Sequence, residues 1–166
     1  MYISVCGSSE CDAEITKLAY EVGIEIARSG HVLVCGGLGG VMDAVSHGAH
    51  DGGGIAIGIL PGPDRSHASR WLTVSLPTDM GHARNAFVAL AADAIIAIAG
   101  GYGTLSEVAF GLKMGKPVVG LDTWELGKCQ YEKLEIAPAS TPREAVALAS
   151  RLGSLSPPHS PDLGVN

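Results

Sequence analysis

Three times in this chain a short apolar run breaks on a glycine cluster that leads directly into helical periodicity. Residues 2–5 run into Cys6-Gly7-Ser8-Ser9-Glu10, residues 31–35 into Gly36-Gly37-Leu38-Gly39-Gly40, and residues 94–98 into Gly100-Gly101-Tyr102-Gly103. Runs this short, without polar alternation, read as strands buried on both faces. Further strands are expected at 55–60, 71–75 and 118–121. Helices are expected at 12–29, where Ile15, Leu18, Ala19, Val22 and Ile26 recur at helical spacing, and at 41–51, 83–91, 104–114 and 141–152. Strands that alternate with helices pair in parallel through right-handed crossovers. The expected fold is therefore α/β, a Rossmann-like three-layer sandwich around a central parallel sheet. Residues 1–152 form a single domain in this reading, and the Pro- and Ser-rich residues 153–166 a disordered tail.

Composition narrows the partners. The 166 residues carry 11 Lys and Arg against 17 Asp and Glu, a formal charge of -6. That balance disfavours a nucleic-acid partner, which needs a basic face. The opening residues lack the charged n-region of a signal peptide, and no apolar run approaches the ~18 residues of a membrane span. A cytoplasmic protein without a membrane partner is expected. Cys6, Cys11, Cys35 and Cys129 show no C-x-x-C pair and no zinc-ligand spacing. Cys6 and Cys35 read as small apolar residues at strand ends, and no metal site is expected.

In such sheets ligands bind beyond the carboxyl ends of the strands, where the strand order reverses. The three glycine clusters occupy those ends. Glycine lets backbone N–H groups approach a ligand, and each cluster feeds a helix N-terminus whose dipole attracts an anion. Three such loops point to a phosphate-bearing ligand held around Gly7, Ser8, Gly36, Gly37, Gly39, Gly40, Gly100, Gly101, Gly103 and Thr104. A dinucleotide site fits poorly. The first turn reads Gly7-Ser8-Ser9, Met42 stands where the second loop would need its third glycine, and no acidic residue ends the second strand. No P-loop and no nucleophile elbow is present.

Two capping boxes invite comparison. Thr141-Pro142-Arg143-Glu144 needs no function. Thr104-Leu105-Ser106-Glu107 has the same form but follows the third glycine cluster, so Glu107 is either a cap or a ligand-facing carboxylate. Upstream, His82, Arg84 and Asn85 open a helix. Arg84 is either a bidentate grip for a phosphate or carboxylate, or a solvated first-turn residue. Arg65, His67 and Arg70 lie in a loop that either closes over a ligand or stays at the surface. Asp43, His47 and Asp51 share one helix face, which reads as solvated ahead of metal-binding.

These residues together resemble the Lonely Guy (LOG) family, whose older label is "possible lysine decarboxylase". The likeness rests on Gly36-Gly37 through Met42-Asp43-Ala44, His82-x-Arg84, Ala92-Asp93-Ala94 and Gly100-Gly101-Tyr102-Gly103-Thr104-x-x-Glu107, and it spans about residues 2–121. The resemblance implies a Rossmann-fold homodimer that cleaves the N-glycosidic bond of nucleoside 5′-monophosphates. It implies Arg84 and Glu107 as the catalytic pair, with Met42 and His82 among the ligand-binding residues and no required cofactor. The family usually has Pro where this chain has Ala99 and Lys where it has Asn85. Those departures, with a short segment after Lys116-Pro117, are similar to a branch of small proteins that includes the molybdenum cofactor carriers. For that branch the implied ligand is a pterin phosphate, carried and not cleaved.

Overall fold

A computed structural model describes residues 1–126 and 135–155 of the protein. The elements follow the alternation read from the sequence. They are β1 (Tyr2–Gly7), α1 (Ala13–Arg28), β2 (Val32–Cys35), α2 (Val41–Asp51), β3 (Ile55–Leu60), β4 (Val74–Pro77), α3 (Asn85–Leu90), β5 (Ala94–Ala99), α4 (Tyr102–Lys113), β6 (Val118–Thr123), β7 (Ile136–Ala139) and α5 (Pro142–Leu155). A single 3-10 turn, Gly81–Arg84, precedes α3. The strands form one seven-stranded sheet in the order β4-β3-β2-β1-β5-β6-β7, and every neighbouring pair is parallel.

Strand periodicity divides the core into two layers. Ile3 and Val5 of β1 and Ile96 and Ile98 of β5 face α1, α2 and α5, where they pack with Ala19, Val22, Ile26, Val45 and Val146. Cys6 of β1 and Ile95 and Ala97 of β5 face the other way, against Ala89 of α3 and Val108 of α4. The three-layer sandwich is thus realised, with three helices on one side and two on the other. No described helix is long and apolar enough to cross a membrane.

The sequence reading needs four corrections. Residues 83–91 do not form one helix, because the chain makes a 3-10 turn through Arg84 before α3 begins at Asn85. The fourth strand starts at Val74, and Trp71 lies outside it, stacked on His47 at 3.9 Å. β7, unpredicted, completes the sheet edge beyond β6 with Pro138 inside it. Proline lacks a ladder donor and is tolerated at such an edge. The last helix runs to Leu155, three residues into the expected tail. Residues 156–166 and Cys129 lie outside the described residues.

The strand order reverses between β1 and β5. Their carboxyl ends, Gly7 and Ala99, are adjacent, and the loops that leave them diverge to α1 on one face and α4 on the other. The crevice expected of this topology opens between those loops.

Candidate functional site

The three glycine-fed helices begin differently. At α1 Asp12 caps the helix, its Oδ1 accepting from Ile15 N at 2.9 Å. α2 starts on Gly40, also without a side-chain cap, but its Val41 N–H is given to the Ser8 carbonyl at 3.0 Å. α4 starts on Gly101 with no side-chain cap. Its first-turn amides have no partner within the helix, and the positive end of its dipole points into the crevice.

The crevice at this end of α4 is a cavity of about 440 Å³. It is lined by Gly7, Ser8, Met42, His82, Arg84, Gly101, Gly103, Thr104 and Glu107, as the sequence suggested. Ser9, Glu10, Leu38, Asn85 and Tyr102 line it as well. Ser9, Glu10 and Tyr102 lie inside the glycine-cluster loops and were legible as their neighbours. Leu38 carried no polar signal.

Glycine has different work at each position. A Cβ on Gly36 would stand 2.4 Å from Arg84 Nη2, so only glycine lets the guanidinium lie against that backbone. Gly37 and Gly40 have φ of 73° and 62°, and Gly40 packs on the Ser8–Ser9 backbone. Gly39 lies near Ser9 O, and Gly100, at φ 130°, packs on Thr104. These five shape the loops around the cavity. Gly101 differs: its φ of -109° suits any residue, and a Cβ there meets nothing within 4 Å. Neither backbone conformation nor packing explains a glycine at this point on the cavity wall.

Thr104 is not the N-cap that the capping-box pattern implied, since α4 begins two residues earlier. It lies in the first turn, 2% exposed, and its Oγ1 has no hydrogen-bond partner. Glu107 likewise does not cap the helix. Its Oε1 accepts from Arg84 Nη1 at 3.1 Å, and both residues are buried. The box at Thr141 does act locally: Thr141 Oγ1 accepts from Glu144 N at 3.2 Å, and Glu144 Oε2 from Ser140 N at 2.8 Å.

Arg84 is buried, not solvated, and its Nε has no hydrogen-bond partner. Its Nη1 also donates to Asn85 Oδ1 at 2.7 Å, and its Nη2 to the Gly36 carbonyl at 3.3 Å. The carboxylate it holds is an internal one, that of Glu107. Burial raises the Glu107 carboxyl from its usual 4.5 to about 7, against the Arg84 charge and hydrogen bond, which lower it. Glu107 can therefore hold or release a proton near neutrality. Burial also pushes the Cys6 and Cys35 thiols up, with Glu107 adding to both, so these thiols stay protonated and inert.

The remaining candidates lie elsewhere. Arg65 ties its loop to β4 through Nε to Ser75 O at 3.1 Å. His67 faces a separate cavity of about 340 Å³. Arg70 lies over the Trp71 ring at 4.9 Å. On α2, Asp43 accepts from Ser69 Oγ at 2.7 Å, while His47 pairs with Asp51 at 3.3 Å. Asp43 is thus engaged apart from the His47–Asp51 pair.

The chain matches the profile of the SLOG cluster4 family over residues 1–149. It is 48% identical over 121 residues to an uncharacterized protein of Archaeoglobus fulgidus, covering 73% of this chain and 80% of that one. It is 41% identical over 111 residues to the cytokinin riboside 5′-monophosphate phosphoribohydrolase LOG of Oryza sativa subsp. japonica. That match covers 62% of this chain but only 44% of the rice protein, so the chain spans less than half of that relative's length. Among solved structures, the molybdenum cofactor binding protein of the phototrophic bacterium Rippkaea orientalis superposes with a TM-score of 0.81 at 34% identity. The match covers 90% of this chain and 95% of that one.

Proposed function

The chain belongs to the SLOG cluster4 family, and from that premise we propose that it binds a phosphate-bearing, nucleotide-like ligand at the N-terminus of α4 and hydrolyses its N-glycosidic bond. One observation carries the binding. α4 starts at the cavity with no side-chain cap, with an open Cβ position at Gly101 on the cavity wall and a buried, unpartnered hydroxyl on Thr104 in its first turn. A phosphate there would accept from the first-turn amides and from Thr104, and the glycine would let it reach them.

The sugar of such a ligand lies toward Glu107. Ionised, Glu107 stabilises the positive charge that develops at C1′ or takes a proton from the attacking water. The C1′–N bond breaks, water oxygen bonds to C1′, and a proton passes to the departing base, leaving ribose 5-phosphate. Arg84 keeps the carboxylate in place. Binding energy from the phosphate end positions the sugar for the reaction.

A second reading has its own observation. Asn85 stands where the hydrolase family has Lys, and the chain superposes over nine-tenths of its length on a molybdenum cofactor binding protein. In that reading the same cradle holds a pterin phosphate as cargo and no bond is cut. Incubation with AMP, GMP and cytokinin monophosphates, following ribose 5-phosphate, separates the two. Release supports hydrolysis. No release, together with a pterin retained in native mass spectrometry, supports carriage.

The protein acts as a homodimer in the cytoplasm. Phe87 and Leu90 of α3 and Phe110 of α4 are exposed on the two-helix side of the sheet. On that side Val74 and Leu76 of β4 continue the row of Ile57 and Ile59 without a helix over them. An apolar surface of this kind suits a two-fold contact. Light scattering at micromolar concentration tests it, and a monomer would count against it.

A further inference from the structure

We propose that Asn85 is a positioning residue, which fixes Arg84 against Glu107 and fastens that pair to the first turn of α4. The inference rests on the reading of α4 and Glu107 as facing the ligand.

The Asn85 side chain is buried, and every polar atom on it is used. Oδ1 accepts from Arg84 Nη1 at 2.7 Å. Nδ2 donates to Ser106 Oγ at 2.8 Å and to the Gly103 carbonyl at 3.4 Å. Ser106 Oγ in turn donates to that carbonyl at 2.6 Å. The roles are fixed by chemistry. A guanidinium can only donate, so the amide oxygen must face Arg84. A carbonyl can only accept, so the amide nitrogen must face Gly103.

Neither Asp nor Lys satisfies this set. Asp would turn a charged oxygen toward the Gly103 carbonyl, and would offer Arg84 a carboxylate that competes with Glu107. Lys has no acceptor for Arg84 and would put a second cation beside it. Asn at the start of a helix ordinarily caps it, but neither the 3-10 turn nor α3 takes a side-chain cap here. The amide is spent on linking instead. Gly103 and Ser106 belong to the first turns of α4, where the anion site lies, and Arg84 holds the carboxylate. Asn85 therefore makes the cradle and the carboxylate one unit.

The test reads the titration of Glu107, which needs no ligand. The groups that face this carboxyl are Arg84 from the 3-10 turn, Cys6 from β1 and Cys35 from β2. His82 and Glu10 share its cavity. The infrared carboxyl signal of Glu107 is isolated by subtracting the Glu107→Gln protein in each background. In Asn85→Asp and Asn85→Ala, Arg84 is drawn off or released, so the midpoint should move up. Affinity for AMP should fall roughly tenfold to a hundredfold, the scale of a misplaced binding group. A midpoint that stays in place in either folded variant overturns the proposal, whatever happens to thermal stability.

Unmodified protein gives a second reading should the variants not fold. The Asn85 side-chain amide resonances should follow the Glu107 titration with the same midpoint, and resonances indifferent to it overturn the proposal. If AMP and pterin probes fail to bind at all, the functional reading falls while both titrations still judge this one.

Discussion

Arg84 Nη1 lies 3.1 Å from Glu107 Oε1, and the two side chains are 8% and 7% exposed. They are 23 residues apart in the chain and meet beside the β1–β5 reversal. A buried ion pair is poor evidence of stability, because desolvating both charges offsets their attraction. This one is better understood as a device that holds a carboxyl of raised pKa at a cavity wall.

Removing one partner should be costly. Above the pKa of Glu107, Glu107→Ala leaves Arg84 a buried cation without its anion, and should destabilise by about 3–5 kcal/mol in urea unfolding. Glu107→Gln keeps an acceptor for Arg84 Nη1 and should stay folded. In a hydrolase it abolishes ribose 5-phosphate release and largely spares affinity. Release at the parent rate by Glu107→Gln would remove Glu107 from the chemistry.

Stability should depend on pH with a definite sign. The Glu107 pKa is raised on folding from 4.5 to about 7, so between these values the folded protein binds more protons than the unfolded chain. This contribution is full below pH 4.5, declines through the interval and is gone above about pH 7. Urea unfolding free energies of the parent protein, less those of Glu107→Gln, should fall as pH rises across that window. A difference that grows instead would mean that Arg84 outweighs burial.

Two glycines should fail differently. Gly101→Val adds a side chain where a Cβ meets nothing, at an ordinary φ, so the thermal midpoint should hold. Affinity for a phosphate ligand, read by calorimetry, should be lost. Gly36→Ala drives a Cβ against Arg84 Nη2 and should destabilise the fold as well as disturb the pair. Unaltered affinity in Gly101→Val would sink the anion site.

Thr104→Val tests the unpartnered hydroxyl. The replacement keeps the branched shape and removes a buried polar atom that lacks a hydrogen bond. Stability should be unchanged or rise by up to about 1 kcal/mol. Phosphate affinity should drop at the same time, a pairing that mere packing does not produce.

Much of this was legible in the sequence, and the exceptions have physical reasons. The bounds of α2 and β3 follow from uninterrupted apolar patterning closed by glycine or proline. β7 was hidden because Pro138 argues against a strand, and an edge position is the circumstance that permits it. The two Thr-x-x-Glu boxes cannot be told apart locally. At Thr141 the partners lie within the box and at the residue before it, whereas Glu107 finds its partner in Arg84, a contact that only the strand order creates. Arg84 itself could be read as solvated, since nothing nearby in sequence announces that the Gly36 carbonyl will receive it.

The charge of Arg84 is paired with Glu107, which has a consequence for how a ligand arrives. Among the described residues lining the cavity, His82 is the remaining side chain able to carry positive charge, while Glu10 adds a carboxylate. The chain as a whole bears a formal charge of -6. An incoming phosphate is therefore drawn by short-range dipoles at close quarters and repelled at a distance. Ionic strength screens the distant term, with a Debye length of about 8 Å at physiological salt. Added salt should thus hasten association, the reverse of what a basic pocket shows.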